Sequence, residues 1–287
     1  MSIRTQTARS TGRSGGSVIG AMGRDWRAVL GAVLALVVAA LALVGPLLAT
    51  GDPDAFAGSP YQSPSGGLPL GTDVLGRDVL TRLLLGGQAF LFEGILAAVV
   101  GVGVGVLLGI LIGVLGGRAA QILRFCSDSV MVIPQILLVL VVLAAFGSTP
   151  ASLIGAVALA QVTYTARVVE AATRRVVAQD YYRAARAIGV VGLPLMIGEV
   201  LPNIAGVVLV ELGVRLSVAF IALASLSYLG FGGASVEWGS MIHDNQGGVS
   251  IQPLAVFAPV LTIAVFLIGM NLLRDGLARA ITERTAR

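Results

Sequence analysis

Residues 90–115 read FLFEGILAAVVGVGVGVLLGILIGVL, and one ionisable side chain, Glu93, interrupts an otherwise apolar run. A helix crosses the hydrocarbon core of a bilayer with about 20 apolar residues. The stretch therefore predicts a membrane-spanning helix, with Glu93 near its outer end where it can reach the interface. Gly101, Gly105, Gly109, Gly113 and Gly117 recur at every fourth position. Small residues at that spacing let helices approach closely in lipid. Packing is the plain reading of the stripe, and a part in pore motion is the sharper one.

Working outward, five further apolar runs predict spans at 28–49, 131–147, 151–167, 204–230 and 253–273. The third and fourth spans are short. Only Gly147-Ser148-Thr149-Pro150 separates them, so a tight helical hairpin is expected. The whole chain is 56% hydrophobic and 12% charged, against roughly a quarter charged in soluble domains. A water-soluble protein of 287 residues could not hide that much apolar surface. The fold class expected is all-α: a polytopic membrane protein with about six transmembrane helices.

All 19 basic residues are arginine. A phosphate-binding P-loop needs a lysine, so ATP must be bound elsewhere if it drives this protein. Placing both termini in the cytoplasm puts 16 of the 19 arginines on that side, as the positive-inside rule demands. Arg77 and Arg82 fall outside, and Arg215 lies within the fifth span. The expectation is a multi-pass protein of the cell membrane with cytoplasmic ends and no nucleic-acid partner. No cleavable signal peptide is read. Residues 1–26 form a polar tail expected to be disordered, 27–86 the first span with an outer segment, 87–276 a five-span core, and 277–287 a cytoplasmic tail. The single Cys126 has no intrachain disulfide partner and is expected to be a small buried residue. With one histidine, His243, a metal-ligand cluster is not expected.

Two outer segments, 50–86 and 231–252, are long enough to matter. In the first, Val74–Leu85 is amphipathic at helical spacing and is expected to lie along the membrane surface, with Asp78 and Arg82 as an i,i+4 pair. Inside the fifth span Glu211 and Arg215 share that spacing. A self-satisfying pair lining the pore or a subunit contact is one reading, and direct contact with cargo is the other. The longest inner loop, about 168–203, exceeds what a passive connection needs. It contains Tyr181-Tyr182-Arg183-Ala184-Ala185-Arg186-Ala187-Ile188-Gly189. Alanine and arginine favour a helix, and Gly189 stands where one would end. A second short helix after Leu193-Pro194 would stop near Leu201-Pro202. Two such helices make a rigid projection for a partner or a plain amphipathic surface, and the residues alone do not choose.

This loop resembles the signature of binding-protein-dependent ABC importer permeases: Glu-Ala-Ala, three residues, Gly, nine residues, Ile, one residue, Leu-Pro. Aligned on Gly189, the chain supplies Ala184, Ala185, Gly189, Leu201 and Pro202. It departs at Arg183, where Glu is usual, and at Glu199, where Ile is usual. The literal string Glu170-Ala171-Ala172 is read as a decoy, because Val176 occupies its glycine position. Gly71–Arg82, Gly116-Gly117, Asp128, Pro134, Leu226–Gly232, Glu237–Ile242 and Asn271–Leu277 resemble dipeptide, oligopeptide and nickel permeases, of the smaller-loop subunit type.

The resemblance implies the type I ABC importer permease fold and no catalytic role. It implies pairing with a second related permease, most simply as a heterodimer. It further implies two ABC ATPase subunits, which would hold the ATP and magnesium, and an extracytoplasmic solute-binding protein. No cofactor is expected on this chain. Tyr182, Arg183, Ala184, Ala185, Arg186, Gly189, Leu201 and Pro202 would form the ATPase-coupling loop. Asp73, Arg77, Asp78, Glu237 and Trp238 would offer binding-protein docking positions. The cargo expected is dipeptides or oligopeptides; nickel or another solute is the alternative. A transporter driven by an ion gradient often shows inverted repeats, and none is read here. An intramembrane serine protease needs a histidine in the membrane, and His243 falls in an outer segment.

Overall fold

The computed structural model describes residues 25–49, 51–232 and 236–285, with side chains through residue 281. Most of the expected disordered tail, residues 1–24, lies outside the described residues. The described chain is helical, and its strand-like pairings are three isolated bridges. In chain order the helices are α1 (Trp26–Leu48), α2 (Val79–Val114), α3 (Gly117–Met131), α4 (Gln135–Phe146), α5 (Pro150–Val177), α6 (Asp180–Ala187), α7 (Leu201–Leu226), α8 (Trp238–Asn245) and α9 (Leu254–Thr285). Five helical stretches are long and apolar enough to cross a membrane. The α3–α4 pair, bent by 90°, makes a sixth if it is taken as one broken span.

The glycine stripe of α2 is a packing seam with α5. A Cβ added at Gly105 would lie 2.6 Å from Thr165 Cβ, and one at Gly109 2.6 Å from the Ala166 carbonyl. Gly101 and Gly113 meet α5 in the same way, whereas Gly117 faces open space. With no hydrophobic force between helices in lipid, this close backbone approach is what joins them. A second glycine contact, Gly31 against Gly269, joins α1 to α9. At one end of the bundle Phe90, Phe220, Phe266 and Trp238 stack with centroids 4.8–6.3 Å apart and tie α2, α7, α8 and α9 together.

The other end is rich in arginine. Asp25 caps α1 and meets Arg279 of α9 at 2.7 Å. Gly206 at the start of α7 faces Ile281 of α9, so the connection between α5 and α7 sits at that same end. Arg77 and Arg82 lie at the opposite end, with residues 51–78 and 236–253.

Several expected boundaries move. α2 begins at Val79, so Val79–Leu85 is the first two turns of the span and not a separate surface helix. Asp78 does not pair with Arg82. It caps α2, accepting hydrogen bonds from the backbone of Leu80 and Thr81 and from the Thr81 hydroxyl. The expected span 131–147 breaks before Pro134, which removes a helical N–H and pushes the residue before it out of the α region; α4 retains 12 residues. α5 runs to Val177 and not to 167. The long loop therefore shrinks to about fifteen residues, with α6 inside it. The second short helix does not stop at Leu201-Pro202. A π-helical turn, Met196–Val200, leads straight into α7, and Pro202 fits in that helix's first turn. α9 continues beyond 273 through the residues assigned to a tail. Cys126 is exposed on α3, and Glu93 is buried among helices.

Candidate functional site

α6 is an eight-residue helix at the arginine-rich end. Tyr182 is its anchor, buried with Ile110, Val169, Leu195, Val200 and Ile204. Gly189 has φ +93° and ends the helix. Its N–H bonds the Arg186 carbonyl at 3.1 Å, and the Val190 N–H bonds the Ala185 carbonyl at 3.1 Å. These two bonds form a Schellman motif, whose left-handed residue is usually glycine. Open space surrounds Gly189, so backbone conformation and not packing selects it.

Around that anchor the surface is exposed. Arg183, Ala184, Arg186 and Ile188 face outward, as do Val191 and Leu193; Ile188 is 82% exposed. Arg183 has one loose partner, Asp180 at 3.9 Å. Leu201 and Pro202 are exposed at the start of α7. The arrangement is a rigid elbow with one inward tyrosine, an apolar tip and two outward cations.

Behind the elbow lies a feature the sequence reading dismissed. Glu170, from the supposed decoy string, is buried. It accepts from Arg124 Nε of α3 at 2.9 Å and from Arg174 Nε of α5 at 2.9 Å. Arg167 and Asp128 add a looser tie at 3.7 Å. These residues line a cleft of about 280 Å³. The i,i+4 spacing of Glu170 and Arg174 was the available signal.

Further along the bundle, Arg215 Nε meets Glu211 Oε1 at 2.6 Å. The Thr165 hydroxyl reaches the same carboxylate oxygen at 3.4 Å. The Arg215 guanidinium lies 5.3 Å from the centre of the Tyr164 ring. The pair thus bridges α5 and α7 near the middle of both.

At the opposite end, Asp73, Arg77 and Arg82 form an ion network with Asp54 and Asp244, the tightest pair being Arg77 Nε to Asp73 Oδ2 at 2.7 Å. Asn245 accepts from the Val74 N–H at 2.9 Å, and Gln252 donates to the carbonyls of Gln62 and Leu70. Two distant segments are thereby stitched into one cap. Of the expected docking positions, Asp73, Glu237 and Trp238 are buried. Glu237 caps α8 in a capping box with Ser240, and Trp238 Nε1 donates to the Leu83 carbonyl at 2.8 Å. They cannot present a surface; they hold the cap's shape. Among the described residues no cluster of His, Cys, Asp and Glu could hold a metal ion.

Residues 105–287 match the family described as "Binding-protein-dependent transport system inner membrane component". The glutathione transport system permease protein GsiD of Shigella flexneri serotype 5b is 37% identical over 216 residues, 75% of this chain and 71% of that protein. GsiD of Shigella dysenteriae serotype 1 is 34% identical over the same shares. GsiD of Pectobacterium atrosepticum is 31% identical over 225 residues, 78% of this chain and 75% of that one.

Proposed function

The chain belongs to the family of binding-protein-dependent transport system inner membrane components, as a multi-pass, non-catalytic permease subunit of an ABC importer, and from that premise we propose that it forms half of a peptide-conducting pore whose α6 elbow is moved by a separate ATPase. The observation that carries the reading is the elbow itself. A glycine-capped helix anchored by Tyr182 leaves Ile188, Val191 and Leu193 without intrachain cover. Exposed apolar surface of that kind suits a protein contact, and Arg183 and Arg186 suit acidic groups on the partner.

In this reading the arginine-rich end is cytoplasmic, ATP closes an ATPase pair against α6, and the closure passes into α5 and α7, which flank the elbow. ATP is then the differential ligand of a two-state transition. A solute-binding protein delivers cargo to the opposite cap, and a second related permease completes the pore. Cargo is a short peptide, as the glutathione carried by the similar permeases suggests. Arg183, in place of the usual Glu, pairs with an acidic residue of its own ATPase.

The test is uptake by the intact complex in proteoliposomes. Glutathione should enter with internal ATP and binding protein present, and entry should persist when the proton gradient is collapsed. Uptake that needs the gradient and not ATP overturns the reading. So does labelling of a Cys introduced at position 188 from the outer face of sealed cells.

A further inference from the structure

Arg215 stands fourteen residues from the start of α7 and eleven from its end. Its contact Tyr164 stands near the middle of α5. A guanidinium at that depth is costly and calls for acceptors. It carries five N–H donors. Glu211 takes the Nε edge at 2.6 Å, and among the described residues neither Nη nitrogen donates a hydrogen bond. The side chain is 12% exposed, so the free edge is not sealed within this chain.

The surroundings show where that edge leads. On α5 the face on one side of Tyr164, with Leu153, Val157 and Ala160, is buried in the cluster that includes Val139 and Leu143 of α4. The same face on the other side, with Val168, Ala171 and Arg175, is exposed. Arg215 and Tyr164 therefore sit at the head of an uncovered strip running toward the arginine-rich end. Tyr164 holds the guanidinium plane by a cation–π contact, and Glu211 fixes its rotation. What stays open is a two-nitrogen fork, whose geometric complement is a carboxylate.

We propose that Arg215 is a specificity contact on the translocation path, receiving a free carboxylate of the cargo, with Glu211 and Tyr164 as positioning residues. The proposal rests on the peptide-permease reading and adds the group that is recognised. A carboxylate at the fork would share Arg215 with Glu211, the mirror of the arrangement in which Glu170 is shared by Arg124 and Arg174. A neutral peptide end offers no such acceptor.

The experiment compares glutathione with its derivative amidated at both carboxyl groups, in proteoliposomes holding the complete transporter. Arg215→Gln leaves Glu211 unpaired and could fail to fold, so the Glu211→Gln/Arg215→Gln double variant, which removes both charges, is the main test. Its uptake of glutathione should fall about tenfold to a hundredfold, the worth of a charged hydrogen bond. Amide uptake, relative to wild type, should fall far less, and Arg215→Lys should keep part of the acid preference. ATP hydrolysis stimulated by the loaded binding protein should be retained. Unchanged glutathione uptake in the double variant overturns the proposal, and so does an equal loss of acid and amide. A wild-type complex that carries neither probe overturns both the proposal and the peptide reading beneath it.

Discussion

Arg124 on α3 and Glu170 on α5, 46 positions apart in the chain, meet with Nε 2.9 Å from Oε1. Arg174 completes the contact from one turn further along α5. α3 has few attachments to the bundle, chiefly to α2 and α5, and its exposed residues include Ile122 and Phe125. Glu170 is therefore a polar tie that holds α3 to α5, beside the apolar packing of α4 on the same helix. Because α5 leads within three residues into α6, the tie also connects α3 to the elbow.

Removing that carboxylate leaves two arginines without their shared acceptor. Glu170→Ala should lower stability by about 2 kcal/mol, the cost of losing hydrogen bonds to charged groups that keep partial access to water. Arg124→Ala should cost less, because Arg174 still satisfies Glu170. Thermal unfolding in detergent checks both. The double variant should cost less than the sum of the two, since the residues share one interaction.

Gly189 tests the elbow. Its φ of +93° costs any other residue roughly 1–2 kcal/mol, and open space around it means an added side chain meets nothing else. Gly189→Asp should leave the spans folded but disturb the end of α6. The expected result is normal membrane abundance with uptake reduced at least about tenfold, a barrier change of about 1.4 kcal/mol. Undiminished transport at normal abundance counts against α6 as the coupling element. Gly198→Asp is the control: it also faces open space but has no positive φ.

How much of this was legible in the sequence depended on the residue type. Long apolar runs announced α1, α2, α7 and α9, because lipid leaves little else for such runs to do. The glycine stripe of α2 announced its packing face. The end of α5 was lost because Arg167, Glu170 and Arg174 look like loop residues in a string, whereas in three dimensions Glu170 and Arg174 satisfy one another. The pair Asp78 and Arg82 had the right spacing and the wrong partners: a helix start gives Asp78 backbone donors, and nearby aspartates compete for Arg82. The resemblance implies a docking position at Trp238, whereas its distant neighbours Leu83 and Phe90 make it core.

Trp238 offers a direct check on that correction. It is fully buried, its indole N–H is bonded to the Leu83 carbonyl, and its ring packs 5.4 Å from Phe90. Trp238→Ala should cost about 3–5 kcal/mol, the usual range for an aromatic core truncation. Trp238→Phe, which keeps most of the packing and loses the hydrogen bond, should cost about 1 kcal/mol. A docking residue would behave differently: both variants would unfold like wild type and fail only in their response to the binding protein.

Glu93 carries the opposite expectation. It is buried in α2 and accepts no hydrogen bond among the described residues. The charged group that acts on it is another acid, Glu237. A buried carboxyl without a partner destabilises whichever form it adopts, through lost hydration or lost charge. Glu93→Gln keeps the size and removes the charge, so it should melt at the same temperature as wild type or higher. Glu237→Gln is the informative contrast, because the Glu237 carboxylate accepts the Ser240 N–H at the start of α8 and a neutral amide oxygen is a weaker acceptor there. That variant should melt lower. If Glu93→Gln melts below wild type, the Glu93 carboxylate has a stabilising partner outside the single chain, and the second permease of the proposed pair is the place to look for it.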